Sequence, residues 1–342
     1  MKRTANTMNL RAINKETIRD YLKCVETSTK TDIAQATGLS IATCGNVLKE
    51  LLISSEVLEI ELQASTGGRP AKRFKYNANY GQIAIMYLRK EGGLHTIYWQ
   101  VTDLLGKKLR EHTLEVAEMT LKEIDGAVEV ILRAYPQVKV LGLGIPGIVK
   151  DGCLFLCDFD RISHTNIAAR IMTKHDIAVI LENDMNASAL GYYKRNAYQN
   201  EDHIAYIYFP VDDAPGAGLI INNTIIRGHS NFAGEVSFLP LGITREDIKS
   251  IQLNQSAFVD LISKMIQSIN CVINPKTIIL SGYRLSDPLI GTIEEHLKIL
   301  ITAIHQPEII FEEDIHDSYV CGLLALSMNQ LKCSIELVER SL

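Results

Sequence analysis

The spacing of apolar residues changes near residue 80, and this change limits the folds that the chain can adopt. Before that point, short amphipathic helices lead to two short strands that flank a turn-rich tip. After Gln82, buried strands alternate with helices, and Val138 to Leu143 and Ile177 to Leu181 are two such strands. Alternating strands and helices build α/β layers, in which ligands bind at the carboxyl ends of the strands. The sequence therefore predicts a small helical head joined to a larger α/β body.

The composition is that of a folded chain with more than one domain. Its 342 residues are 46% hydrophobic and 22% charged, which excludes disordered and collagen-like chains. The sequence has no apolar run of about 18 residues and no apolar leader, so we expect neither a transmembrane helix nor a secretion signal. Its 7 cysteines are scattered without the spacing of a structural zinc site, which fits free thiols in a reducing compartment. We therefore expect a cytoplasmic protein without membrane contact.

The formal net charge of −5 argues against a nucleic-acid binder, yet the charge is unevenly distributed. Residues 1–77 contain 12 basic and 8 acidic residues, a net charge of +4, and the remainder carries −9. A basic head on an acidic body suits a DNA-binding domain carried by another domain. An excess of this size also fits chance, so the charge alone leaves both interpretations open.

The head has the sequence signals of a winged helix-turn-helix. Thr29 and Asp32 have the spacing of a capping box, and Gly38 is placed to end the short helix that follows them. Ser40 is placed to cap the next helix, Ile41 to Leu52, which gathers apolar residues on one face. Two short strands follow, on either side of a glycine-rich tip. The order of helix, helix, tight turn, helix and hairpin therefore predicts a winged helix-turn-helix.

The third helix of such a unit fits the major groove of DNA, where its first turn meets base edges. Asn46 can pair with adenine through two hydrogen bonds, and Arg69 at the tip of the wing can enter a minor groove. Lys72 and Arg73 would contact phosphates, which position a protein without specifying sequence. The alternative is a unit that makes only protein contacts. The predicted DNA-binding residues are Ser40, Ile41, Ala42, Thr43, Asn46, Arg69, Lys72 and Arg73.

In the body, polar residues stand where predicted strands end. Asn183 and Asp184 lie between a strand and a helix, where an amide and a carboxylate can hold vicinal hydroxyls and Asp184 can act as a general base. The alternative is a plain helix N-cap. Glu235 can be a second hydroxyl-binding carboxylate or a solvated loop residue. Gly147 can bring backbone close to a ligand or simply end a strand.

Taken together, four stretches of the body resemble the ROK family, which contains repressors, open reading frames and sugar kinases. They are Gly142 to Gly147, Glu182 to Gly191, Gly234-Glu235 and Ile273 to Gly282. In the head, Asn9 to Asn14 and Gly67 to Pro70 resemble the repressor branch of that family. The resemblance covers almost the whole chain.

This resemblance implies an α/β protein in which an N-terminal winged helix-turn-helix is followed by a two-lobed actin-like, or ribonuclease-H-like, sugar-kinase fold. We expect the head at 1–78, the first lobe at 79–199 and the second lobe at 200–311, with a C-terminal helix at 312–342 completing the first lobe. The resemblance also implies a sugar in the cleft between the lobes and a homo-oligomer, either a dimer or a tetramer.

Residue by residue, Asn183 and Asp184 match the pair that holds the sugar in the family, with Asp184 in the place of the catalytic base. Glu235 matches the sugar-binding glutamate. The phosphate-binding segments do not match. Met86 to Gly93 lacks the Asp-and-Gly loop of the kinases, and Val211 to Gly218 carries two carboxylates that would repel a triphosphate.

The zinc site of the family is not matched either. A histidine usually follows the glutamate by three residues, but Phe238 stands there, and no cysteine lies between Cys157 and Cys271. Because phosphoryl transfer depends on a phosphate cradle and a metal, we expect no enzyme activity, no cofactor and no metal. Asp184 is then a vestigial base.

The sequence thus predicts a transcription regulator, and more specifically a repressor that reads a palindromic operator as a dimer and senses a sugar or sugar phosphate. Ligand would close the lobes and shift DNA affinity, with a coupling of about 1–3 kcal/mol. Two alternatives stay open. One is an active ATP-dependent sugar kinase with a DNA-binding head, and the other is a ligand-independent DNA-binding or scaffolding protein.

Overall fold

The computed structural model describes residues 2–60, 72–150, 152–211 and 213–333, except for the side chains of residues 2–9, 156, 332 and 333. These residues form two compact units. The first lies within Met1–Gln82 and Thr102–Lys108, and the second within Ile83–Val101 and Leu109–Leu331.

The described part of the first unit contains three helices and a small antiparallel sheet in which β3 lies between β1 and β2. This is the predicted order of helices and hairpin in a winged helix-turn-helix, with a short strand, β1, that the sequence did not predict between the first two helices. The apolar spacing of Ile13, Ile18, Leu22 and Val25 predicts a first helix from Asn14 to Cys24, but in the structure this helix begins at Lys2. The elements are α1 (Lys2–Cys24), β1 (Ser28–Thr29), α2 (Lys30–Thr37), α3 (Ile41–Ile53), β2 (Val57–Ile60) and β3 (Arg73–Tyr76).

The turn between α2 and α3 is fixed by its capping residues. Thr29 and Asp32 form a reciprocal capping box at the start of α2, and Gly38 ends that helix with a φ of 71°. A left-handed backbone of this kind costs glycine little. The Ser40 hydroxyl then accepts a hydrogen bond from the backbone N–H of Thr43 at 3.0 Å. These three predicted helix ends are confirmed.

An apolar cluster holds the described part of the first unit together. Its buried members come from all three helices and from β2 and β3, so the helices pack against one another and against the sheet. Burying each large side chain contributes about 1.5–3 kcal/mol. The cluster contains Ile18, Leu22, Ile33, Ala34, Cys44, Val47, Leu48, Leu51, Val57, Phe74 and Tyr76.

The rest of the described chain alternates strands and helices, as predicted. The elements are β4 (Gln82–Glu91), β5 (Leu94–Asp103), β6 (Lys108–Val116), α4 (Leu121–Ala134), β7 (Val138–Ile145), β8 (Gly147–Lys150), β9 (Cys153–Cys157), α5 (Ile167–His175), β10 (Ala178–Asn183), α6 (Asp184–Arg195), β11 (Ile204–Phe209), β12 (Gly216–Ile221), β13 (Thr224–Ile225), α7 (Arg245–Ile251), α8 (Gln255–Ile273), β14 (Thr277–Gly282), α9 (Asp287–Leu300), β15 (Glu308–Glu312) and α10 (His316–Cys333).

Two five-stranded sheets organise the second unit into two lobes. The first sheet has the order β10-β7-β4-β5-β6 and the second has the order β13-β12-β11-β14-β15. In the first, β10 runs parallel to β7 and places Asn183 opposite Ile145. Each sheet has its own buried cluster, around Leu143 in the first and around Phe258 in the second. This is the two-lobed α/β arrangement of the actin-like fold that the resemblance implied.

Helix α6 is rich in small residues because it packs closely against its neighbours. A methyl group on Gly191 would collide with the backbone carbonyl of Ser318 in α10, and one on Gly322 with the carbonyl of Ala187. A methyl group on Gly218 in β12 would collide with the carbonyl of Met185. Glycine at these contacts lets α6 lie against both α10 and the second sheet. The N-terminus of α6 is thereby fixed beside both lobes.

Within the described residues, α8 is long and apolar enough, by length and composition alone, to cross a membrane. The sequence had predicted no such helix. In the structure, α8 packs its apolar side into the core of the second sheet through residues such as Phe258, Ile262 and Ile266. We therefore interpret α8 as a core helix.

Candidate functional site

A pocket opens in the second unit where β7 and β10 end, facing the loops that follow β11 and β13. The structure brings all four predicted sugar-site residues, Gly147, Asn183, Asp184 and Glu235, to its lining. The pocket therefore joins residues that lie far apart in the sequence. Other polar or aromatic side chains that line it are Arg89, Lys90, Asp158, Asn186, Tyr208, Asp213, Asn231, Phe238, Arg245 and Tyr319.

Asn183 is both the N-cap of α6 and a pocket residue, so the two interpretations of this position are compatible. Its Oδ1 atom accepts a hydrogen bond from the backbone N–H of Asn186 at 3.0 Å. Its Nδ2 atom donates to the carbonyl of Gly147 and to Oδ1 of Asp184, both at 2.9 Å. Because the amide is used in both directions, Asn183 fixes its neighbours in place.

Asp184 lies at the start of α6 with its carboxyl group in the pocket. Its Oδ1 atom also accepts a hydrogen bond from the backbone N–H of Met185 at 2.9 Å. Burial, reinforced by the negative charge of Asp158, raises the pKa of Asp184 to about 8. At neutral pH this carboxyl group is largely protonated, so it can donate a hydrogen bond as well as accept one.

Asp158 is a pocket carboxylate that the sequence reasoning missed. It follows β9 directly, and its backbone carbonyl accepts a hydrogen bond from Lys90 at 3.4 Å. Burial, together with the charge and hydrogen bond of Asp213, raises the pKa of Asp158 to about 7. The only signal in the sequence was a carboxylate at the end of a short strand, which is common in loops.

Glu235 reaches the pocket through a turn that requires glycine. Gly234 has a φ of 97°, and a methyl group there would collide with the carbonyl of Ala217. Burial raises the pKa of Glu235, while the positive charge of Arg245 opposes the rise. The guanidinium of Arg245 also lies 4.8 Å from the ring centroid of Phe238, so this ring is held against the pocket rim.

Phe238 occupies the position at which the family usually places a zinc-binding histidine. In the described ranges, no group of three or more His, Cys, Asp or Glu side chains is arranged to hold a metal ion. The carboxylates of the pocket instead make hydrogen bonds to backbone and to each other. The donors and acceptors present suit a ligand that carries hydroxyl groups.

In the first unit, the predicted DNA-reading face of α3 is open to solvent. Ile41 is 51% exposed, Ala42 and Asn46 are exposed, and Thr43 is half-buried. Ser40 is exposed and caps the helix. The opposite face of the helix is buried in the apolar cluster. The prediction that these side chains lie off the apolar face is confirmed.

The predicted phosphate contacts differ in their surroundings. Lys72 pairs with Glu59 at 2.5 Å on the surface, an interaction that is weak in water. Arg73 is half-buried and donates a hydrogen bond to Thr27 at 3.1 Å, so it already has a partner. Arg69 lies outside the described residues.

Sequence reasoning did not select the part of α1 that lies beside the reading face. Arg11 and Asn14 line a shallow groove together with Thr43 and Asn46 of α3. Arg11 is exposed and pairs with Glu50 at 2.5 Å. Both residues belong to the Asn9 to Asn14 stretch that resembles the repressor branch, but they were not predicted to contact DNA, because only the packing of α1 on α3 brings them to this surface.

A sequence model described as ROK family matches residues 90–246 of this chain. The chain is 26% identical over 238 residues to a xylose repressor of Caldicellulosiruptor bescii, covering 66% of this chain and 58% of the relative. It is 28% identical over 218 residues to a xylose repressor of Bacillus subtilis, covering 61% and 55%. The chain thus spans less than two thirds of the length of these relatives.

The fold is similar to that of solved structures along nearly the whole chain. A ROK family transcriptional regulator, described as a homolog of the E. coli MLC protein, superposes with a TM-score of 0.70 at 16% identity, covering 96% of this chain and 98% of that one. A ROK hexokinase from Thermus thermophilus gives a TM-score of 0.60 at 16% identity over 73% of this chain and 99% of the hexokinase. The similarity to the regulator therefore extends over both units. The similarity to the hexokinase extends over a smaller part of this chain.

Proposed function

We propose that this chain, which matches the ROK family model over residues 90–246, is a DNA-binding transcriptional regulator, a repressor, that senses a sugar or sugar phosphate. The observation that carries the proposal is the solvent-exposed first turn of α3, capped by Ser40, on a helix whose other face is buried. A recognition helix needs this division, since its outward side chains must enter a groove while its inward ones hold the domain. We place the protein in the cytoplasm, where its operator is.

In this proposal, the first turn of α3 meets base edges. Asn46 makes the paired contact to adenine, and Ile41 and Ala42 touch thymine methyl groups. Ser40 and Thr43 complete the reading turn, Lys72 and Arg73 contact phosphates, and Arg69 enters the minor groove. The protein acts as a homodimer on a palindromic operator, since two-fold symmetric proteins read two-fold symmetric sites.

The sugar is held by Asn183, Asp184, Glu235 and the backbone at Gly147. Asp184 and Glu235 come from segments that follow different sheets, so a sugar bound to both would draw the two lobes together. Through this closure of the two lobes, the ligand alters the affinity for DNA. Such coupling requires the ligand to bind the two states with different affinities.

The kinase alternative is disfavoured by the segments that would handle phosphate. Met86 to Glu91 form part of β4, and Gly92 and Gly93 make only the tight turn to β5. At the other segment, Asp213 points a carboxylate at the pocket. A base such as Asp184 contributes only about 10²–10⁴-fold without a phosphate cradle. We propose a regulator without phosphoryl-transfer activity.

Sequencing of genomic DNA bound by the purified chain tests the regulator proposal. We expect enrichment of one palindromic motif, and loss of that enrichment in Ile41→Glu, whose circular dichroism should match the wild type because Ile41 is exposed. D-Xylose, D-glucose, D-mannose and D-glucose 6-phosphate are then titrated against the enriched duplex. A change in duplex affinity of about fivefold or more with one of them supports the sensor. No enriched motif would refute DNA reading, and no shift with a motif would favour the ligand-independent alternative.

A coupled-enzyme assay with ATP and the three unphosphorylated sugars tests the kinase alternative. We expect no turnover above a no-enzyme control. ATP-dependent turnover that disappears in Asp184→Asn would establish the kinase instead.

A further inference from the structure

Glu182, the residue directly before the predicted sugar-binding pair, is a buried carboxylate that is hydrogen-bonded to the pocket residues Asn183 and Asn186. It is 5% exposed. Its Oε1 atom accepts hydrogen bonds from the backbone N–H of Asn183 at 2.9 Å and from Nδ2 of Asn186 at 3.1 Å. A buried carboxylate needs hydrogen-bond donors and a cationic partner to offset the loss of water.

Arg227 is this cationic partner, and it comes from the other lobe. Its Nη2 atom donates to Oε2 of Glu182, so both carboxylate oxygens are used. Glu182 belongs to β10 of the first sheet, whereas Arg227 follows β13 of the second. The ion pair thus joins the two lobes, and through Glu182 it is hydrogen-bonded to the pocket residues Asn183 and Asn186.

Arg227 also anchors the loop that carries the second pocket wall. Its backbone carbonyl accepts a hydrogen bond from the N–H of Ala233 at 3.2 Å, which closes the loop before Gly234 and Glu235. Within the loop, Asn231 donates to the backbone carbonyl of Val149 in the first lobe. The same short segment is therefore tied to the first lobe at two points and ends at Glu235.

We propose that the Arg227–Glu182 ion pair is a positioning device that holds the Asn183–Asp184 wall and the Glu235 wall at the spacing a sugar requires. The proposal rests on the sugar-sensing function proposed above. In this proposal, Arg227 does not contact the ligand. It acts through Glu182, which aligns the backbone of Asn183, and through the loop that presents Glu235.

The test is a double-mutant cycle in the full chain. Calorimetric affinities are measured for whichever of D-xylose, D-glucose, D-mannose and D-glucose 6-phosphate binds the wild type most tightly. We expect Arg227→Met and Glu182→Gln each to weaken binding at least tenfold. The double variant should be no weaker than either single variant, because both remove the same interaction. Arg227→Lys, which keeps a cation, should recover part of the affinity.

The matched control is Lys276→Met, which breaks the Lys276–Asp202 pair at the surface of the same unit, where the lysine side chain is 56% exposed. It should bind the sugar within twofold of the wild type. Losses in Arg227→Met and Glu182→Gln that multiply in the double variant would overturn the proposal. So would an affinity in Arg227→Met within threefold of the wild type.

Hydrogen exchange in the ligand-free chain tests the positioning role of the ion pair without a sugar. In Arg227→Met, peptides covering 181–190 and 228–236 should exchange at least fivefold faster, while peptides of α8 keep their rates. Unchanged exchange in both segments, or a uniform increase over the whole unit, would refute the positioning role. If no sugar binds the wild type, the sensing function fails, and this measurement still tests the ion pair.

Discussion

The DNA-reading face of the first unit and the pocket of the second unit are built in opposite ways. The face is one turn of one helix, and its key side chains, Ile41, Ala42 and Asn46, are exposed. The pocket gathers carboxylates from four distant segments, and burial shifts the pKa of Asp158 and Asp184 far upward. Substitutions on the face should therefore change binding without changing stability. Substitutions at the pocket should change both.

The largest effect should come from the glycine contacts that place α6 beside the pocket. Gly218→Ala puts a methyl group into the backbone of Met185, which cannot move without shifting the start of α6. We expect the second unit to lose about 3 kcal/mol of unfolding free energy, at the upper end of overpacking costs. Chemical denaturation with tyrosine fluorescence measures this loss.

Gly126→Ala is the matched control for that experiment. Gly126 lies in α4 with open space around it, so alanine should gain about 0.5–1 kcal/mol from helix propensity. Equal stability of the two alanine variants would contradict the view that α6 is positioned by close backbone contact.

The second prediction uses pH to distinguish the two units. The folded pKa of Asp158, about 7, lies above its unfolded value, so the folded state binds more protons between these values. Because the pKa of Asp184 is about 8, stability of the second unit should fall as pH rises from about 4 to about 8. Asp158→Asn should remove the Asp158 contribution to this slope, leave that of Asp184, and raise stability at pH 8 by about 2 kcal/mol.

The first unit should respond in the opposite sense. Burial acts to raise the pKa of Glu56, but the Ser54 hydroxyl and the charges of Arg19 and Lys15 outweigh it and hold the pKa below its usual value. The stabilisation from Glu56 is therefore present above the unfolded pKa and lost as pH falls through the folded one. Calorimetric scans from pH 3 to pH 8 measure the stability of both units. If both units lost stability as pH rises, or both as pH falls, the contrast would be contradicted.

Asn46→Ala tests the exposed face, where the effect on stability should be smaller than at the pocket. We expect operator affinity to fall by about 2 kcal/mol, the worth of a bidentate base contact, with specificity relaxed at one base pair. The unfolding free energy should change by less than about 0.5 kcal/mol, because Asn46 is exposed. Fluorescence anisotropy with the enriched duplex measures the affinity. Asn200→Ala, an exposed asparagine of the second unit, should bind like the wild type.

The same contrast explains what could be predicted from the sequence. The caps at Thr29 and Ser40 and the turn at Gly38 were predictable, because each depends on a few adjacent residues. Asn183, Asp184 and Glu235 were selected through a family resemblance, since a pattern alone fits an N-cap and a loop glutamate equally well. Asp158 and Arg227 were not found, because their roles depend on partners from other segments. Arg11 and Asn14 were missed for the same reason.

The smallest expected effect compares one motif in both units. Thr29 and Thr244 each form a capping box, with Asp32 and Asp247 respectively. Thr29→Ala should cost the first unit about 1 kcal/mol, because α2 packs into the apolar cluster of that unit through Ile33 and Ala34. Thr244→Ala should cost the second unit about 0.5 kcal/mol, since α7 is short and mostly exposed and its end can fray without disturbing the sheet cores. Denaturant titrations of both variants measure the difference. A larger loss for Thr244→Ala would mean that α7, which carries Arg245 at the pocket rim, is more tightly coupled to the second lobe than its exposure indicates.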